Sequence, residues 1–179
     1  PACSSATARA ADAVAIAVEN AASRPGMRTF AVDGTVWNDA GASDAEELGC
    51  ALAAGVAYLR ALTDAGLDLA AAAAQLEFRY AITADQFSGI AKLRAARRLW
   101  ARVTEVCGAA QPQRQHAVTS RAMMTQRDPW VNLLRTTIAC FAAGTGGADA
   151  ITVGMGVFAV FLSAAGVMLV VSVLQAFVI

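Results

Sequence analysis

The chain has 179 residues, with 14 Lys+Arg against 14 Asp+Glu, one histidine and an apolar fraction of 57%, which suits a single domain. Zero net charge excludes a binder that works by releasing counterions from nucleic-acid phosphates, because that needs a clustered basic excess. The cysteines, Cys3, Cys50, Cys107 and Cys140, lie too far apart for a CxxC or Cys/His zinc spacing or for a disulfide scaffold. Reduced thiols and an N-terminus without a secretory signal imply a cytoplasmic protein, and the missing initiator Met implies a piece of a longer chain.

In chain order, the alanine-rich stretch 8–22, with Val14 and Val18 four apart, predicts a helix, and 29–33 predicts a strand. Ser43 and Glu46 have the spacing of a capping box. Leu48, Leu52, Val56, Leu59 and Leu62 follow at helical intervals until Gly66. Residues 69–74 read as a short helix or turn, and 76–82 alternate as a strand does. Thr83 and Gln86 repeat the capping logic for a helix whose apolar face would be Phe87, Ala91, Ala95, Leu99, Val103 and Val106, ending at Gly108. A strand at 115–119 follows. Asp128 as N-cap and Pro129 at the first helical position open a helix with Val131, Leu134, Ile138 and Phe141, closing near Gly144 before a strand at 148–153.

This alternation predicts an α/β fold with a parallel sheet and right-handed crossovers, either open and doubly wound or part of a (β/α)8 barrel. Four strands make half a barrel, with two sheet edges and an apolar helix layer uncovered.

All 28 charged residues lie at or before Asp149. Residues 151–179 carry only Thr152, Ser163, Ser172 and Gln175 as polar side chains, long enough for a membrane span but with no flanking Lys or Arg to orient one. A buried strand and helix, or a tail that is not the natural continuation of the gene, are the other readings.

His116, the sole histidine, precedes Thr119 and Ser120. It reads either as an acid, base or donor at a barrel mouth or as a side chain satisfied by local backbone. Asp33 and Arg79 each read as pointing into the barrel centre or, equally, as a member of some structural ion pair. Arg94, Arg98 and Arg102, with Lys92 and Arg97 nearby, fit a phosphate site less well than a solvated face suited to the helix dipole. Gly144, Gly146 and Gly147 follow a helix and precede a strand, the reverse of a phosphate loop.

The stretches IAKLRAARRLWARV (90–103), HAVTSRAMM (116–124) and DPWVNLLRTTIACFAAGTGGADAITV (128–153), with TFAVDGTVWNDAGASDAEELGCALAAGVAYLRAL (29–62), resemble the barrel domain of the methylmalonyl-CoA mutase family. The resemblance covers residues 27–153. It implies a (β/α)8 barrel and a separate cobalamin domain. The activity it implies is a radical interconversion of methylmalonyl-CoA and succinyl-CoA with adenosylcobalamin, whose chemistry belongs to the cofactor. Catalytic members resemble GYHMQEAGA where this chain reads GTVWNDAGA, which puts Val36 at the histidine position. They also resemble HxQTS, which puts Val118 at the glutamine position, and they carry a lysine shortly before that histidine that this chain lacks.

These departures resemble the small, non-catalytic (beta) subunit of the heterodimeric mutases. The implied partner is a mutase large subunit, and the chain alone would bind no cofactor and carry no catalytic residue. Asp33, Arg79, His116, Thr119 and Ser120 are the candidate barrel-mouth residues, and Val36 and Val118 the degenerate positions. The expected division is a partial barrel at 1–153 and an apolar tail at 154–179. After the last strand the family continues with something like LPFD, whereas this chain reads GMGVFAVFLSAAG. A frameshift, joining error or truncated reading frame accounts for that change better than the alternative, a membrane-anchored interaction protein built from a mutase remnant.

Overall fold

The computed structural model describes residues 2–24 and 26–154, so the readings of the apolar tail lie outside the described residues from position 155 onward. The elements are α1 (Ala2–Ser23), β1 (Phe30–Asp33), α2 (Thr35–Asp39), α3 (Asp44–Asp64), α4 (Leu69–Ala74), β2 (Leu76–Ile82), α5 (Gln86–Val106), β3 (Gln115–Thr119), α6 (Pro129–Gly146) and β4 (Ala150–Thr152). The strands form one parallel sheet in the order β1-β2-β3-β4.

That order decides between the two arrangements left open by the pattern. Right-handed crossovers that always advance in one direction put every helix on one face of the sheet, whereas a doubly wound sheet reverses and covers both. Here Val32, Phe78, Tyr80 and Ala117 turn to the helices and join one core with Leu48, Leu59, Leu62, Leu93, Ala96 and Trp100. The other face carries Asp33, Glu77, Arg79, His116 and Val118, all half-buried. The described residues thus form an incomplete, barrel-like α/β arrangement in which β1 and β4 each have one neighbour.

The end signals explain most boundaries. Ser43 accepts from the Glu46 amide, and Glu46 returns a carboxylate to the Ser43 amide, as the capping box requires. Asp128 caps α6 by accepting from the amides of Trp130 and Val131. Gly147 ends that helix at φ 86°, a left-handed conformation that favours glycine.

Three expectations need correction. α5 is capped by Asp85, which accepts from the Ser88 amide, while Thr83 only accepts from the Asp85 amide one turn earlier. The buried face of α5 is Gly89, Lys92, Leu93, Ala96, Trp100 and Thr104, and Phe87, Leu99 and Val106 are exposed. On α6 the sheet-facing side is likewise made of small and polar groups, among them Asn132, Thr136, Ala139 and Ala143, while Leu134 and Phe141 point outward. Close helix packing selects small residues on the inner faces. Gly55 shows the same demand on α3: a Cβ there would lie 2.7 Å from Phe78 Cζ and 3.1 Å from Trp100 Cζ3. α2, a single helical turn after β1, is an element the pattern did not predict.

Candidate functional site at the strand C-terminal ends

Asp33, the last residue of β1, is in register with Arg79 of β2, and the two form an ion pair at 3.3 Å. Asp33 also holds α2 in place, accepting from the Thr35 amide at 3.0 Å and the Thr35 hydroxyl at 2.6 Å. Beside this pair a cavity of about 100 Å3 opens, lined by Asp33, Thr35, Asp39, Arg79, Ala81, Val118, Thr119, Ser120 and Arg121. Ser120 donates to Asn38 of α2 at 2.8 Å, and Thr119 accepts from the Gly154 amide at 2.6 Å.

The fold therefore gathers Asp33, Arg79, Thr119 and Ser120 around one small cavity, with Val118 in its wall. His116 is in register with Arg79 but does not line the cavity. Its Nδ1 lies 3.2 Å from Glu77 Oε1 and its Nε2 2.7 Å from Thr152 Oγ1, so one ring links β2, β3 and β4. Val36 stands on α2, 62% exposed and outside the cavity lining.

Just behind the mouth lies a buried ionic cluster that sequence reasoning missed. Lys92 of α5 donates to Asp44 Oδ1 at 2.8 Å, to the Ala81 carbonyl at 2.8 Å and to Glu47 Oε2. Glu47 Oε1 in turn accepts from the Ala81 amide at 2.9 Å. β1 ends at Asp33 and gives Ala81 no strand partner, so two side chains take over its backbone bonds. Desolvation pushes the Glu47 carboxyl above its ordinary value, and the Lys92 charge pulls it back. The available signal was a charged residue at an inner position of each helix, Glu47 beside Leu48 and Lys92 beside Leu93.

The arginine row on α5 is structural where it is engaged. Arg97 donates to the Gly147 carbonyl at 2.6 Å and to Gln115 Oε1 at 2.8 Å, and Arg102 pairs with Glu105 on the surface. A cation at the C-terminal end of α6 is where the helix dipole favours one.

At this mouth Arg79 and Asp33 neutralise each other, Arg121 and Asp39 also line the cavity, and the Ser120 and Thr119 hydroxyls serve helix and loop contacts. The cavity at this mouth is well below the roughly 300–1,000 Å3 of small-molecule sites and so too small for a corrin, and both ring nitrogens of His116 are engaged. Among the described residues no group of three or more His, Cys, Asp or Glu could hold a metal ion, and no helix is long and apolar enough to cross a membrane.

A sequentially ordered parallel sheet with all its helices on one face and a polar site at the strand C-terminal ends defines a partial barrel-type α/β unit. The chain belongs to the methylmalonyl-CoA mutase family, whose model matches residues 4–156. It is 68% identical over 131 residues to the methylmalonyl-CoA mutase small subunit of Streptomyces virginiae, covering 72% of this chain and 21% of that protein. The probable small subunit of Mycobacterium tuberculosis (strain ATCC 25618 / H37Rv) is 51% identical over 144 residues, covering 79% and 23%. The large subunit of Porphyromonas gingivalis (strain ATCC BAA-308 / W83) is 40% identical over 126 residues, covering 68% and 18%. The chain spans about a fifth of the length of the curated relatives it matches.

Proposed function

We propose that this chain is part of the structural small subunit of a cytoplasmic, adenosylcobalamin-dependent methylmalonyl-CoA mutase. In this reading it supplies strands of a (β/α)8 barrel and pairs with a catalytic large subunit, which carries the cofactor and interconverts methylmalonyl-CoA and succinyl-CoA. The observation that carries the reading is a pair of apolar side chains, Val118 in the wall of the mouth and Val36 on α2 outside it. Val36 and Val118 stand at the two positions where the family resemblance expects hydrogen-bonding side chains, and a valine offers none. Asp33 and Arg79 occupy each other. The small-subunit names of the relatives at 68% and 51% identity support the same assignment.

The test is a pull-down of the tagged 179-residue chain with the large subunit of a heterodimeric mutase, together with equilibrium binding of adenosylcobalamin to the chain alone. Co-elution with the large subunit and no cofactor retained at micromolar concentration are expected. A micromolar Kd for adenosylcobalamin, or failure to retain the large subunit, would overturn the assignment.

A further inference from the structure

We propose that residues 121–127, between β3 and α6, form a strap at the mouth, and that Asn132 of α6 is the latch that holds the strap closed. The inference rests on the geometry of the mouth and stands apart from the mutase assignment.

The connection is long for its place in the fold. From β2 to α5 the chain needs only residues 83–85, whereas from β3 to α6 it runs from 120 to 128, beyond the about two to six residues usual for such a turn. Both ends are fixed. Ser120 donates its amide to the Ile82 carbonyl at 2.8 Å and its hydroxyl to Asn38 Oδ1 at 2.8 Å, and Asp128 caps α6. Between these points Arg121 reaches the cavity, so the position of the strap decides what fills that side of the mouth.

The middle of the strap is held by side chains of α6. The Thr125 amide donates to Asn132 Oδ1 at 2.9 Å, and the Thr125 carbonyl accepts from Asn132 Nδ2 at 2.6 Å. One carboxamide thus does for Thr125 what a neighbouring strand would do, using both its acceptor and its donor. About one turn further along α6, Arg135 donates to the Met123 carbonyl at 2.6 Å. Asn132 is only 3% exposed, and a buried carboxamide is costly without such partners.

Little else ties the strap down. Arg121, Ala122, Gln126 and Arg127 are exposed, and Met123 is its apolar anchor against the core. A segment held by one apolar side chain and three side-chain hydrogen bonds can open while the sheet stays intact. Thr119 and Ser120 line the cavity yet are each 3% exposed, so solvent barely reaches them while the strap is closed.

The experiment compares the full chain with Asn132→Asp, which keeps the size of the side chain but leaves no donor for the Thr125 carbonyl at neutral pH. It follows trypsin cleavage after Arg121 and Arg127, thiol labelling of Thr119→Cys read at that position by peptide mass, and amide exchange in β2 and β3. Cleavage and labelling should both rise about tenfold or more, as losing buried hydrogen bonds implies, while β2 and β3 keep their protection. Arg135→Met, which removes the bond to Met123 alone, should raise both by a smaller factor and supplies the same comparison if Asn132→Asp does not fold. Unchanged cleavage and labelling would overturn the latch. So would either change without the other, or a matching loss of protection in β2 and β3, which would make Asn132 a general support of the fold.

Discussion

Lys92 shows how much one inward-facing charge can carry. It is the only lysine in the chain, it is buried, and it reaches α3 and β2 from α5 through three acceptors. Replacing it by methionine keeps the volume and removes the cation, leaving Glu47 buried and uncompensated. Breaking a buried pair this way costs about 3–5 kcal/mol, so Lys92→Met should lower the urea midpoint severely at neutral pH. The pH dependence has a definite sign. The folded pKa of Glu47 is raised above 4.5, so the native state holds a proton that the unfolded chain releases. The contribution of this carboxyl is therefore greatest below pH 4.5 and is lost as pH rises through the raised folded value. The deficit of Lys92→Met relative to the parent should accordingly shrink as pH falls toward 4.5, and a constant deficit in urea titrations across that range would refute the account.

At the scale of elements, the helices that announced themselves by caps and the strands that announced themselves by alternation are where the pattern put them. The orientation of the helices was harder to read. On α5 and α6 the large apolar residues suggested a face, but the inner sides are built from Gly89, Ala96, Thr136, Ala139 and Ala143, because the helices approach the sheet and each other closely. In a chain this rich in alanine, size no longer marks the inside. The same crowding yields a paired prediction on α3. Gly55→Ala should cost about 1–3 kcal/mol by overpacking against Phe78 and Trp100. Gly49→Ala, on the same helix with nothing within 4 Å of its Cβ, should be neutral or slightly stabilising. Thermal melts of the two variants separate helix propensity from collision. The site was legible in a similarly uneven way. Asp33 and Arg79 could be singled out individually, but only the strand register brings them opposite each other. The Ser120–Asn38 contact depends on α2, a turn too short to leave a periodic signal.

For the whole molecule, sequential strand order is the organising fact, since it places the core on one side and the polar residues on the other. It also grades the stability of the sheet. β2 and β3 are flanked on both sides, whereas β4 has three residues, all exposed, and one described neighbour. Amide hydrogen exchange in dilute solution should find the slowest backbone protons in β2 and β3 and the fastest strand protons in β4. Equal protection across the four strands would contradict that gradient.

The three side-chain links across the inner face have nearly even sequence separations: Asp33 to Arg79 spans 46 residues, Glu77 to His116 spans 39 and His116 to Thr152 spans 36. Each strand after the first pairs with the one before it, so its partner has always left the ribosome earlier. Assembly can therefore proceed one helix and strand at a time, each strand meeting a partner already made rather than waiting for sequence still to come.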